Sequence, residues 1–324
     1  MQRTLLAALA AFSTLVFAAT GAVAQTWPNR PITWMVPFAA GGGTDAFARP
    51  LAAQLEKQLG QGIVIENRAG AGGTAGASLA SRQQPDGYYF FVGAAHHTIA
   101  PSLYPRLDYN IETDFIPIAV IAQPPQVVVV NPRRLNVNTL AELIAAARAK
   151  PDTLVYGSAG IGTTHHLTGE LFKLLTQTQI RHVPYRGAGP AMADLVAGQI
   201  DMIFDGLGTS APQITGGQIR GLAVAAPKRN GAFPNMPTTS EAGLANFDVS
   251  TWYAVFAVKG TPPAIVERMQ REIRTALAAP QIAEAWARNG SDIPALEGAA
   301  FGQFVSSEVA RWRKVVTDAG IKLE

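Results

Sequence analysis

Three stretches of this sequence pair glycines with hydroxyl residues where an apolar run gives way to a helical pattern. They are Phe38-Ala39-Ala40-Gly41-Gly42-Gly43-Thr44-Asp45, Gly70-Ala71-Gly72-Gly73-Thr74-Ala75 and Gly157-Ser158-Ala159-Gly160-Ile161-Gly162-Thr163-Thr164. The first N–H groups of a helix have no acceptor within it and sit at the positive end of its dipole, so such a turn can hold an anion. Taken singly, the glycines of any one loop serve equally well to make a tight turn. Recurrence in both halves of the chain favours the anion, and Ser158, Thr163 and Thr164 add hydroxyl donors around it.

Other chemistries are poorly supported. The Gly70 loop fits G-x-G-x-x-A, but the acidic residue that a dinucleotide site needs at the end of the next strand is missing, since Tyr89-Phe90-Phe91-Val92 runs into Gly93-Ala94-Ala95. No Lys-Ser/Thr pair follows the last glycine of any loop, and no G-x-S-x-G is present, so Ser158 lacks a nucleophile's setting. His96 and His97 follow a strand on a segment read as extended, where their rings would face opposite sides and not share a metal. One ring facing a cleft and a histidine tied to its own loop are both open readings. Arg186 offers a fork for a carboxylate, or a surface cation. Asp205 ends a strand, where it could bond a ligand hydroxyl or amine, orient Arg186, or serve the fold.

The elements that place these residues are legible. Ile32–Val36 reads as a buried strand, and Phe47, Leu51, Leu55 and Leu59 mark a helix closed by Gly60. Pro50 removes a hydrogen bond inside that helix and predicts a kink, for which the sequence offers no function. Short strands follow at Ile63–Ile65 and Tyr89–Val92, then Phe115–Ala122 and Gln126–Val130 with the stiff Pro124-Pro125 between them, which reads as a crossing between lobes. A helix through Leu140, Leu143, Ile144 and Ala147 stops at Pro151. Further strands lie at Leu154–Tyr156, Ile180–Val183 and Ile200–Phe204, with a helix through Leu167, Leu171 and Leu174. Leu222–Ala226 before Pro227 reads as the second crossing, and Trp252–Val258 as the next strand. The rest is helical, and Phe301, Phe304, Val305, Val309 and Trp312 of a final helix over 298–319 form a core-facing stripe.

The chain has 324 residues, 48% hydrophobic and 15% charged, enough for two lobes with their own cores and too apolar for disorder. A net charge of +3 without a Lys/Arg block argues against nucleic acid. Arg3, the apolar run Leu5–Ala19 and Ala22-Val23-Ala24 form a secretory signal cleaved after Ala24, too short for a membrane anchor. The absence of cysteine excludes a lipidated N-terminal cysteine, disulfides and thiolate chemistry, leaving an exported soluble protein. Two αβ lobes, two crossings and loops in both lobes suggest a clamshell that closes on an anion.

Specific motifs then resemble the extracytoplasmic receptors of tripartite tricarboxylate transporters, the Bug/TctC type. They include Trp27-Pro28-Asn29-Arg30-Pro31-Ile32, Val36-Pro37-Phe38 with Gly41-Gly42 and Asp45, Glu66-Asn67-Arg68 before Gly70, and Pro85-Asp86-Gly87-Tyr88. Asp114-Phe115 with Pro117-Ile118, Tyr156-Gly157-Ser158, His166-Leu167 with Gly169-Glu170-Leu171-Phe172, His182–Gly187 and Ala197–Asp201 continue the match over the mature chain. The resemblance implies a type II periplasmic binding fold, a Venus flytrap with two crossover strands, holding a small carboxylate through backbone N–H groups, hydroxyls and waters. It implies residues 25–122 with 227–324 as one lobe and 123–226 as the other. The first-lobe wall is then Phe38, Gly41, Gly42, Gly43, Thr44 and Asp45, with His96 and His97 nearby. Ser158, Gly162, Thr163, Thr164, Arg186 and Asp205 form the second. No catalytic residue, metal or cofactor is implied; the partners are a carboxylate and a membrane permease, and the receptor is a periplasmic monomer.

His96 and His165 stand where the family often has a small or hydroxyl residue, beside the more usual His97 and His166. With Phe38, these extra imidazoles point to a planar aromatic dicarboxylate such as terephthalate. Two other outputs remain open at this level: signalling to a membrane sensor kinase, or a hydrolase working through His97 and Asp205 without any nucleophile motif.

Overall fold

The computed structural model describes residues 27–318, so the expected signal peptide, residues 1–24, lies outside the described residues. The first lobe opens with β1 (Ile32–Val36), α1 (Gly43–Leu59), β2 (Ile63–Asn67), α2 (Thr74–Ser81), β3 (Tyr89–Ala94), α3 (His96–Leu103) and β4 (Phe115–Ala122). The second holds β5 (Gln126–Val130), α4 (Leu140–Ala149), β6 (Val155–Ser158), α5 (Thr164–Thr176), β7 (Arg181–Pro184), α6 (Ala188–Ala197), β8 (Met202–Gly206), α7 (Leu207–Thr215) and β9 (Arg220–Ala225). The chain returns to the first lobe with β10 (Tyr253–Val258), α8 (Pro263–Leu277), α9 (Pro280–Arg288) and α10 (Gly298–Asp318). Among the described residues no helix is long and apolar enough to cross a membrane.

Each lobe carries a five-stranded sheet, ordered β2-β1-β3-β10-β4 and β7-β6-β8-β5-β9. The pairs β1–β2, β1–β3, β6–β7 and β6–β8 are parallel, as strand–helix–strand connections require. The first strand after each crossing, β5 or β10, sits fourth and runs antiparallel to both neighbours. The parallel strands therefore end, and their helices begin, at the edge of the cleft, while the crossing strands run away from it. Both faces of each sheet are covered, which is why the strands read as continuous apolar runs. Trp34 and Val36 pack with Phe47, Leu51 and Leu55 of α1, whereas Met35 joins Phe91, Phe256 and Phe301 on the opposite face. Val128 and Val130 face one second-lobe cluster, Val127 and Val129 the other. Pro50 lies on the exposed side of α1, which runs through it from Gly43 to Leu59.

The first crossing is at Pro124-Pro125, as the sequence suggests. The second differs from the expected Pro227. After β9 the chain folds back along the second lobe, where Val224 bridges Thr238 and Leu244, Phe247 and Val249 join its core, and it leaves only at Ser250-Thr251. A proline after an apolar strand marks the strand's end but not the lobe's. The crossings pair with one another: Gln126 N–H donates to Val249 O at 2.9 Å and Thr251 N–H to Pro124 O at 3.2 Å.

The lobes meet across the cleft at main-chain carbonyls. Ala39 N–H donates to Arg186 O at 3.1 Å, and Tyr104 Oη to Ile161 O at 2.9 Å. Gly189, in the first turn of α6, lies against Ala40–Gly42, and a Cβ there would overlap the Ala40 carbonyl oxygen. Since Gly189 belongs to a helix, alanine costs nothing within its own lobe. Gly189→Ala is therefore expected to fold normally but to close incompletely. With saturating ligand its radius of gyration by small-angle scattering should exceed that of the wild type, and affinity should fall by about tenfold or more, ~1.4 kcal/mol.

Candidate functional site

Between the lobes, as they lie here, is a tight cavity of about 10 Å³, with room for about one water molecule. The first lobe and hinge contribute Phe38, Gly42, Gly43, Thr44, His96, Thr251 and Tyr253, and the second Ala159, Thr164, His165 and Ala188. A larger groove between α5 and α10, about 390 Å³, is lined by residues such as Leu171, Leu174, Trp312 and Val315. It carries no helix N-terminus and none of the unpartnered polar groups described below.

Four helices begin at the cavity: α1 with Gly43 and Thr44, α3 with His96, α5 with Thr164 and His165, and α6 with Ala188. Only α1 has an acidic residue in its first turn. That residue, Asp45, is committed elsewhere. Its Oδ2 accepts from Gly41 N–H at 3.0 Å and Arg49 Nε at 2.8 Å. Its Oδ1 accepts at 3.1 Å from Asn67 Nδ2, which also donates to Phe38 O at 2.9 Å. Burial raises the Asp45 pKa, but Arg49, Gly41 N–H and Asn67 outweigh it and hold the carboxyl below its usual value. Asp45 thus braces the loop and does not face the cavity. Gly43 is fixed by space, since a Cβ would overlap Tyr253 Oη.

The second-lobe loop divides in the same way. Ser158 Oγ lies 2.6 Å from His182 Nε2 and accepts from Gly160 N–H at 3.1 Å. Thr163 caps α5, and its hydroxyl donates to Gly160 O at 2.6 Å. Gly162 N–H donates to His166 Nδ1 at 3.2 Å, and the open side of its Cα faces Leu103 and Tyr104. Of the four expected residues here, Thr164 reaches the cavity; Ser158, Gly162 and Thr163 shape the turn. Arg186 has an exposed side chain and meets the other lobe through its carbonyl oxygen.

The histidines depart most from expectation. His96 and His97 are not extended; they open α3, so both rings are buried, with centroids 4.7 Å apart. The helix starts immediately after β3 without the polar N-cap that would announce it. His97 Nδ1 lies 3.0 Å from both N and O of Ala94, and its Nε2 3.4 Å from Gly73 O. His96 meets Phe38 edge-on at 4.6 Å, and neither ring nitrogen has a hydrogen-bond partner among the described residues. Asp205 is fully buried; Oδ2 accepts from Ser210 Oγ at 2.6 Å, and Oδ1 is unpartnered. The imidazole beside it is His165, with Nε2 3.3 Å from Oδ1, so the pair considered for a hydrolase, His97 with Asp205, is not assembled. His165 Nδ1 and Thr209 Oγ1 are also buried and unpartnered. Tyr253, Thr251, Ala159 and Ala188 are cavity residues absent from the expected site, and His165, expected only as an extra imidazole beside the cleft, lines it. His165 had a signal in its place at a helix start; Tyr253 comes from beyond the second crossing and had none.

Burial holds His97, His165 and His182 down to about 4 and lowers His96 further, with His97 and His165 adding to the effect on His96. Burial pushes Asp205 up to about 7, against Ser210 and Gly206 N–H. The histidines start from 6.5, so between about pH 4 and 6.5 the unfolded chain binds the extra protons. Their contribution is complete above that window and lost as pH falls through it. Asp205 acts oppositely: its raised pKa favours the fold below about 4, a contribution lost as pH rises through about 7. Four groups outweigh one. The thermal midpoint should climb from about pH 4 to 6.5 and then level off, His97→Gln should flatten the climb by about one proton's worth, and Asp205→Asn should steepen it.

A family model described as "Tripartite tricarboxylate transporter family receptor" matches residues 47–321. Among solved structures, the periplasmic binding protein BugD is 34% identical with a TM-score of 0.88, covering 92% of this chain and 100% of that one. R. palustris Rpa4515, solved with adipate, is 37% identical with a TM-score of 0.87 over 91% of this chain and 99% of its own. MatC from Rhodopseudomonas palustris, with bound malate, is 33% identical with a TM-score of 0.84 over 90% and 100%. These likenesses agree with two αβ lobes in the type II periplasmic binding arrangement.

Proposed function

This chain belongs to the tripartite tricarboxylate transporter receptor family, and from that premise we propose that it captures a small dicarboxylate between its lobes and delivers it to a membrane permease. The observation that carries the reading is the meeting of four helix N-termini, two from each lobe, on one cavity between the lobes. Three of these helices have no acidic residue in the first turn, so the field there is positive although, among the described residues, no Lys or Arg lines the cavity. Such a site holds carboxylates through N–H groups and hydroxyls such as those of Thr44 and Thr164. The adipate and malate held by two relatives are of this class. The receptor acts as a monomer in the periplasm after cleavage near Ala24.

The finer reading is an aromatic dicarboxylate such as terephthalate. Phe38, His96, His165 and Tyr253 give the cavity four ring walls, suited to a flat ligand whose faces are apolar and whose ends are charged.

A thermal-shift series on residues 25–324 with terephthalate, adipate, malate and citrate is the test. A ligand at a hundred times its Kd adds about 2.7 kcal/mol to stability. Dicarboxylates should raise the melting temperature, and Thr164→Val should weaken that effect by about tenfold. A larger shift with terephthalate than with adipate, erased by Phe38→Ala, supports the aromatic reading. Binding of aliphatic acids alone, or their selective loss in His96→Ser, overturns it. No shift with any acid overturns the receptor reading.

A further inference from the structure

We propose that ligand capture takes up one proton from solvent, held by His165 and Asp205, so that the receptor binds a dicarboxylate and a proton together. This rests on the dicarboxylate reading above. The argument is one of valence. His165 lines the cavity from the first turn of α5, with Nε2 3.3 Å from Asp205 Oδ1; among the described residues neither His165 Nδ1 nor Asp205 Oδ1 has a hydrogen-bond partner, so both stand ready for one. Asp205 is fully buried, with its second oxygen taken by Ser210 Oγ. A neutral imidazole has one N–H. Placed on Nε2 toward Asp205, it leaves a bare Nδ1 lone pair facing the incoming carboxylate. Placed on Nδ1 toward the ligand, it leaves a bare Nε2 lone pair against the Asp205 carboxylate. One added proton makes both contacts donor to acceptor, whichever partner carries it.

Among the described residues no Lys or Arg lines the cavity. Across the cleft on α3, His96 has both nitrogens unpartnered, and behind it His97 is occupied by Ala94 and Gly73. Tyr253 on β10 keeps its proton, since burial and then the charge of Asp205 raise its pKa. On α1, Asp45 is held by Arg49 and Asn67, and on α7 Thr209 and Ser210 offer hydroxyls. A dicarboxylate closed into this space sits near a buried carboxylate with no fixed side-chain cation between them, the arrangement in which two acids retain a shared proton. Burial already pushes Asp205 up to about 7 and His165 down to about 4, so above neutrality the pair is anionic until the ligand arrives.

Asp205 is a positioning residue in this scheme, acting on the ligand through His165. The test is isothermal titration of the mature protein with terephthalate, adipate and malate near about pH 8, in phosphate and in Tris, whose ionisation enthalpies differ. The expected result is uptake of about one proton per ligand, with Kd rising up to tenfold per pH unit between about pH 7.5 and 8.5. In Asp205→Asn the side-chain amide donates to Nε2 and frees Nδ1–H for the ligand, so uptake should fall to near zero and Kd become flat with pH. A purely structural role for Asp205 would weaken binding at every pH and leave uptake unchanged, and that outcome overturns the proposal. Wild-type binding without buffer dependence also overturns it while leaving the receptor reading intact. Failure of all three acids to bind removes both.

Discussion

Helix N-termini repel one another when they point into a common low-dielectric space, and here four of them do so. The closed arrangement therefore favours a negative guest, and much else in the fold arranges for those termini to meet. The glycines at the cleft serve that end directly: Gly42 and Gly189 bring main chain against main chain, and a side chain at Gly189 would hold the lobes apart. The one acid in those first turns, Asp45, is turned sideways into a brace for its own loop and does not fill the cavity.

The two crossings make the meeting reproducible. Each delivers a strand into the fourth position of the opposite sheet, running against its neighbours, so that all the strands feeding the cavity loops end on the cleft side. Because the crossings are hydrogen-bonded to each other at Pro124–Gln126 and Val249–Thr251, they bend as a pair. A paired hinge limits how the lobes can move, and so where α1 and α3 come to rest against α5 and α6.

Within the cavity, charge is handled by burial. Imidazoles that would be half protonated near neutrality in water are held neutral, and Asp205 is pushed toward its acid form. The site thus presents backbone dipoles, hydroxyls and unpartnered ring nitrogens to a ligand in place of fixed cations. Such groups suit carboxylates as a class, and the ring walls then set which shapes fit.

The lobes, most strands and helices, the first crossing and the glycine loops were legible in the sequence, because apolar periodicity and turn residues act over a few neighbouring positions. Ile32–Val36 followed by Gly41-Gly42-Gly43 can do little else. The family resemblance added Phe38, Gly42, Gly43, Thr44, His96 and Thr164 as expected wall residues, and these line the cavity. Only the tertiary structure decided which hydroxyls face inward, since Thr163 and Thr164 are alike in type and differ in that one caps α5 while the other lies inside its first turn. It alone joined His165 to Asp205 and carried Tyr253 to Gly43. It also moved the second crossing from Pro227 to Ser250-Thr251. Those outcomes depend on contacts between residues far apart in the chain, where packing and closure of the lobes choose the partner and local pattern has no say.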